Sequence, residues 1–275
     1  MTAFVGIARE RVFSPGKVDA DRLILDAVGA ALRHRGHEVR LVSAEDPLCA
    51  PARGTTVFTM SQGKRALATL REWERDDVRV INSADSILNS HRHRLLDRFE
   101  RAGVHAPETI LLRTGVAAIG PWPGWLETDG GWLKRGDVHA TEAGDVVFVR
   151  SAATVARALA GFGARGIASA VLQRHVEGVV IKFYAVANGF LACYPAGPAP
   201  SDLAPHQASA LGLLAHAGAH ALGLEVYGGD CVAGTDGALW LIDLNDWPSF
   251  APCRAAGAEA IASRLEALSR PSHPS

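Results

Sequence analysis

Two aspartates and an asparagine near the C-terminus have the types and spacing that point most directly to chemistry. Asp236-Gly237 stands between apolar runs, a strong short-range signal for a β-hairpin. With those two residues as the loop, Asp230 falls directly opposite Asp243, with Cβ atoms about 4.5–5.5 Å apart. Asn245, two residues beyond Asp243, points to the same face of its strand. Like charges directly opposed in a sheet repel, and a hard divalent cation removes that repulsion. Mg²⁺ takes oxygen ligands, commonly carboxylates together with phosphate oxygens and water. The competing reading is a solvent-facing strand pair that tolerates two acids, or a bulge that breaks the register. Ile242 and Leu244 favour a buried strand, where unpaired acids are costly.

The lysines form the second set. There are only four, Lys17, Lys64, Lys134 and Lys182, among 28 basic residues. Lysine is a compact, strongly hydrated point charge, so each one that persists in so arginine-rich a chain is a candidate for a site that needs such a charge. Lys134 ends an apolar strand and precedes a loop holding Gly136 and His139, a setting suited to nucleotide phosphates. Lys182 lies in the alternating run 179–186, on one face with Val180 and Tyr184. The alternative for either is an edge-strand lysine laid along the surface. Other chemistry is excluded by pattern. Gly63-Lys64 lacks the phosphate-loop glycine spacing and follows no clear strand, no GxGxxG opens the first helix, and GxSxG is absent. His91 and His93 are two apart and share no helical face, while His216 and His220 have no third ligand nearby and read as surface histidines.

These residues need elements to hold them. A buried strand at 4–8 is followed by a loop with Ser14-Pro15-Gly16, a helix over 19–35 closed by Gly36, and a strand at 38–42. Residues 1–80 therefore form a small α/β domain with a parallel sheet. Residues 82–89 read as a connection, and a helix spans 91–102. Strands at 108–112, 132–135 and 146–149, a helix at 152–162, and strands at 168–174, 179–187 and 190–194 follow. A helix over 205–222, the hairpin over 225–245 and a helix over 254–268 complete an α+β arrangement.

Composition narrows the function. The chain has 275 residues, 48% hydrophobic and 21% charged, with a formal net charge of −1. Such a balance fits a globular protein and gives no general attraction to nucleic acid or anionic membrane. No apolar stretch is long enough to span a membrane. Four scattered cysteines without a CxxC support neither a metal cluster nor a disulfide framework. The first ten residues lack a signal-peptide pattern, so the cytoplasm is the expected compartment.

Taken in order, four segments resemble the ATP-grasp superfamily over nearly the whole chain. They are Val80-Ile81-Asn82 through Arg94 to Gly103-Val104-His105-Ala106-Pro107-Glu108-Thr109; Trp132-Leu133-Lys134-Arg135-Gly136; Val171 to Gly178 ahead of Lys182; and Gly223-Leu224 to Asp230 with Ile242-Asp243-Leu244-Asn245-Asp246-Trp247-Pro248. The last is similar to the family's D-x-N-x-x-P metal segment. The chain resembles RimK-like and D-Ala-D-Ala-ligase-like ligases and, more distantly, inositol-phosphate kinases. The resemblance implies an N-terminal substrate-side domain (1–80), a small lobe with an adenine hinge (81–176) and a metal-binding lobe (177–275), with ATP between the lobes. It implies Mg²⁺ on Asp230, Asp243 and Asn245, phosphates on Lys134, Lys182 and His139, and adenine against Gln173, Arg174, His175 and Val176. The family's lysine on the leading helix is replaced by Arg92 or Arg94. Residues 183–229 hold no Arg or Lys, where such ligases place an arginine for the acyl-phosphate; Arg254 is the candidate substitute beside Lys182. Arg9, Arg11 and Ser14 are the candidate acceptor-pocket residues, which implies a small anionic substrate. The implied reaction is carboxylate–amine or carboxylate–thiol ligation, with hydroxyl phosphorylation as the alternative. The sequence does not set the oligomeric state, a homodimer being one outcome.

Overall fold

The computed structural model describes residues 2–115, 121–137, 142–196 and 203–270. His139 lies outside them. Three four-stranded sheets organise these residues. The first contains β1 (Ala3–Ala8), β2 (Glu38–Ser43), β3 (Thr56–Thr59) and β4 (Arg79–Ile81), all parallel, in the order β2-β1-β3-β4. Parallel strands need crossovers, here including α1 (Val18–His34) and α2 (Lys64–Arg75). Ile24, Leu25, Val28 and Leu32 recur at helical spacing on α1 and pack with Phe4 and Phe58. On α2, Leu67, Leu70 and Trp73 join Val5, Ile7 and Val57 in a second core.

Two short helices, α3 (Ala84–Asn89) and α4 (Arg92–Arg101), lead into the second sheet. Here β5 (Thr109–Arg113), the one-turn α5 (Trp125–Thr128), β6 (Gly131–Arg135), β7 (Val146–Val149), α6 (Ala152–Ala164) and β8 (Ser169–Arg174) follow in sequence. The sheet is antiparallel, ordered β5-β8-β6-β7, with α6 packed on one face.

The third sheet holds β9 (Gly178–Val186), β10 (Phe190–Pro195), β11 (Val226–Gly234) and β12 (Leu239–Asp246), antiparallel in the order β10-β9-β11-β12. Its rear face presents Ile181, Phe183, Cys231, Leu241 and Leu244 to Leu211, Ala215, Ala219 and Leu222 of α7 (Pro205–Leu222). Covering one face with apolar helix leaves the other face for polar work. The last helix, α8 (Arg254–Ser269), packs back on α1: Ala258, Ile261 and Leu265 share a core with Phe4, Ile24 and Leu32. No helix among the described residues is long and apolar enough to cross a membrane.

Two expectations change. Lys64 does follow a strand: β3 ends five residues earlier, and its four residues are all buried, so it shows no alternation. The segment 82–89 is not only a connection, because Ser83 caps α3, accepting from the Ser86 N–H at 3.1 Å.

Candidate active site

The front face of the third sheet is arranged in rows. Lys182 on β9, Asp230 on β11 and Asp243 on β12 stand side by side across three strands. On one side of them lie Tyr184, Gly228 and Asn245, and on the other Val180, Val232 and Trp240. The expected pairing of Asp230 with Asp243 is present, by a different route. The hairpin loop is three residues, 235–237: the Gly234 N–H bonds the Ala238 carbonyl at 2.8 Å, and Gly237 has φ +80°. That loop alone would set Asp230 against Ile242. A bulge beside Asp230 leaves Ile242 unpaired and restores Asp243 as the partner. The bulge also lets Trp240 and Asp243, three residues apart, face the front while Leu241 and Leu244 both face the rear core.

Cations from three other elements converge on the acids. The Lys182 Nζ donates to Asp230 Oδ1 at 2.8 Å. The first residue of α4, Arg92, is buried and donates through Nη2 to Asp243 Oδ2 at 2.5 Å and through Nη1 to the Arg135 carbonyl at 3.3 Å. From β6, the Lys134 Nζ donates to Gln173 Oε1 at 2.7 Å and to the carbonyl of the bulged Ile242 at 3.2 Å. Burial pushes the Lys134 pKa down to about 8, with Arg92 acting the same way and Asp243 and Asp230 opposing. Burial also lowers the Lys182 pKa, but its hydrogen bond and charge pairing with Asp230 outweigh that and the net shift is upward. Of the two candidate arginines, Arg92 reaches the acids; Arg94 is exposed on α4 and takes no part in the cluster.

The donor set suits a hard cation. The Asn245 side chain makes no hydrogen bond among the described residues and lies in the row next to Asp243. Two carboxylates and an amide oxygen match the ligands Mg²⁺ takes. No group of three or more His, Cys, Asp or Glu side chains among the described residues could hold a metal ion, so the set consists of two carboxylates completed by the amide.

At the apolar end of the front face, Trp240 lines a cavity of about 690 Å³ together with Arg174, His175, Val176 and Glu177. His105 packs against the Trp240 ring with centroids 3.9 Å apart and is held by its Nδ1 contact to the Leu239 carbonyl at 2.7 Å. The expected hinge set divides. The Arg174 and His175 N–H groups are taken by the carbonyls of Glu108 (2.8 Å) and Gly130 (3.1 Å), and the Gln173 side chain holds Lys134. Among the described residues the Val176 N–H makes no such bond. The Arg174 side chain pairs with Asp129 at 2.6 Å.

The structure places the three candidate acceptor residues in different surroundings. Arg9 is partly buried, bonded to Asp21, Met60, Asp246 and Trp247. The Ser14 hydroxyl donates to Asp21 at 2.6 Å, and Arg11 is exposed, 3.8 Å from Glu45. Arg254 begins α8, half-buried, with its Nε buried and unpartnered and no ion pair among the described residues. Sequence reasoning missed Trp240 and the Ile242 carbonyl. A tryptophan next to the metal segment was a signal for the first; nothing in the sequence marks the bulge.

No protein-family model matches the chain, and no curated protein matches it by sequence. Solved structures match over almost its full length. The D-alanine–D-alanine ligase of Bacillus anthracis, complexed with ATP, gives a TM-score of 0.72 at 11% identity, covering 98% of this chain and 97% of that one. The chain has the ATP-grasp fold. D-alanyl-alanine synthetase A of Vibrio cholerae (TM-score 0.72, 10% identity, 98% of each chain) is another match. The VanG D-Ala:D-Ser ligase of Enterococcus faecalis gives 0.72 at 11% identity over 98% of this chain and 99% of that one. Identities this low describe shared architecture. Within this fold the second and third sheets meet where Lys134 reaches the Ile242 carbonyl.

Proposed function

We propose that the chain is an enzyme that uses ATP and Mg²⁺ to ligate a carboxylate to an amine or a thiol through an acyl-phosphate. The observation that carries this reading is the row Lys182–Asp230–Asp243, with Asn245 beside it and Lys134 and Arg92 converging on it, in an ATP-grasp frame. The three similar structures are ligases, one of them complexed with ATP, and they support the same reading. Mg²⁺ on Asp230, Asp243 and Asn245 would neutralise phosphate charge and orient the phosphate oxygens. Arg92 offers a planar fork and Lys134 a point charge to the same phosphates. Val180, Val232 and Trp240 offer an apolar surface to the base, and the Val176 N–H is left to bond its edge. Lys182, opposite Asp230 on β9, would add a further positive charge beside the transferred phosphoryl group.

A kinase reading keeps one specific support. Residues 183–229 supply no cation, and Gly228, in the row beside the acids, is packed so closely that a Cβ there would lie 2.7 Å from the Phe183 carbonyl. The cationic support for an acyl-phosphate therefore rests on Lys182 and Arg254. The deciding experiment supplies Mg-ATP with carboxylates and amines, singly and together. A ligase releases phosphate only with both; a kinase yields a stable phosphorylated product from one acceptor. Absence of any calorimetric heat or thermal shift with saturating Mg-ATP would overturn both readings.

A further inference from the structure

Past Asn245 the chain makes a turn whose conformation its own residues disfavour. Trp247 has φ +31° and Phe250 φ +49°, left-handed values that large side chains rarely adopt without outside support. The support comes from the far end of the sequence. Arg9, at the end of β1, donates through Nη2 to the Trp247 carbonyl at 2.8 Å and to the Asp246 carbonyl at a longer 3.4 Å. Its Nε donates to the Met60 carbonyl at 3.0 Å and its Nη1 to Asp21 Oδ2 at 3.1 Å. Asp21 is itself fixed by the Ser14 hydroxyl. Both members of the Arg9–Asp21 pair are nearly inaccessible to solvent, with side chains 8% and 6% exposed. One planar guanidinium thus fastens the two carbonyls that bracket the disfavoured residue to the first sheet. The Trp247 ring, stacked on Phe58 at 5.9 Å, and the Trp247 N–H on the Val226 carbonyl at 3.1 Å fix the same turn from other directions.

We infer that Arg9 is a positioning residue for the metal-ligand segment: by holding the 246–247 carbonyls it sets where Asn245 and Asp243 stand on β12. This rests on the reading that those residues hold Mg²⁺. A lysine at position 9 keeps the charge opposite Asp21 but cannot reach three carbonyls from one planar fork.

The test titrates Mn²⁺, as a spectroscopic stand-in for Mg²⁺, into the full chain with a non-hydrolysable ATP analogue, alongside analogue binding in chelator. Arg9→Lys should weaken Mn²⁺ binding about tenfold or more, the usual effect of losing a group that orients metal ligands. Metal-free analogue binding, which depends on Lys134 and Arg92, should stay near the wild-type value. Millimolar guanidinium should restore part of the Mn²⁺ affinity of Arg9→Ala. Asp21→Asn, which leaves Arg9 in place but loosens it, should weaken Mn²⁺ in the same direction and serves if the Arg9 variants do not fold. Wild-type Mn²⁺ affinity in Arg9→Lys, or in Asp21→Asn when that stands in, overturns the inference, as does an equal loss of metal-free analogue binding. A wild-type chain that binds neither Mn²⁺ nor the analogue overturns the functional reading itself.

Discussion

Asp230 and Asp243 share a row but differ in what their removal costs. Asp243 is paired with buried Arg92, with side chains 13% and 8% exposed, whereas the Lys182 partner of Asp230 is about half exposed. Asp243→Asn removes the charge from a buried ion pair closed at 2.5 Å and should lose about 2 kcal/mol or more of stability. The exposed pair is worth less, so Asp230→Asn should stay within about 1 kcal/mol of wild type in the same chemical melts. Both should slow turnover on the order of a hundredfold or more, measured as ATP-dependent phosphate release. Two opposed acids, seen in the sequence alone, suggest that neutralising one relieves repulsion and stabilises; the cations reverse that sign for Asp243. Types and spacing made the acids, Asn245, Lys134 and Lys182 legible. The Arg92 contact was not, because its partner lies 151 residues away and spacing carries no information at that range. Lys134 adds a pH prediction. Its pKa is about 8 when folded against 10.5 for the free side chain. The unfolded chain therefore binds more protons between those values, and stability rises with pH across that window. Lys134→Met lacks this dependence, so its stability relative to wild type should fall by about 3 kcal/mol between pH 7 and pH 11.

Among the elements, α7 could be read from both ends, with Pro205 at its first turn and Gly223 at φ +77° closing it. Helix α1 was legible from its apolar period. By contrast β3 is buried on both faces and α3 is six residues long, so neither shows a usable period. The hairpin was legible in a subtler way. A loop one residue longer than the Asp-Gly signal suggests and a bulge at Ile242 offset one another, so the bulge that the sequence offered as a way to break the register instead restores it. Deleting Ile242 separates the two effects. It removes the bulge and leaves Trp240, Leu241 and Asp243 opposite Val232, Cys231 and Asp230 on their present faces, so circular dichroism melts should show the fold retained while Lys134 loses the Ile242 carbonyl and Mg-ATP binding weakens. A smaller version is Gly229→Ala. Its Cβ would lie 2.1 Å from the Asp243 carbonyl, so β12 must move away, and nucleotide turnover should fall although no polar side chain is touched.

Across the whole molecule, the first sheet meets the third through a buried contact, the Gln62 side chain donating to Asp246 at 2.7 Å. Burial raises the Asp246 pKa to about 6, with Arg9 the largest opposing influence. Between pH 3.8 and pH 6 the folded chain holds a proton that the unfolded chain has released, so this carboxyl costs stability as pH rises and the full cost persists above pH 6. Asp246→Asn should therefore gain on wild type across that range, by up to about 3 kcal/mol, in melts run with a chelator. A constant difference from pH 4 to pH 8 would show that Asp246 ionises normally. The packing of α8 against α1 has another outcome, which concerns synthesis. The ribosome releases Phe4, Ile24 and Leu32 long before Ala258, Ile261 and Leu265, the residues that share their core. At about 5–20 residues per second the gap lasts on the order of tens of seconds. Throughout it the nascent chain carries an apolar face that α8 has yet to cover, which makes that face a binding surface for chaperones and makes a chain stalled before residue 254 a substrate for quality control.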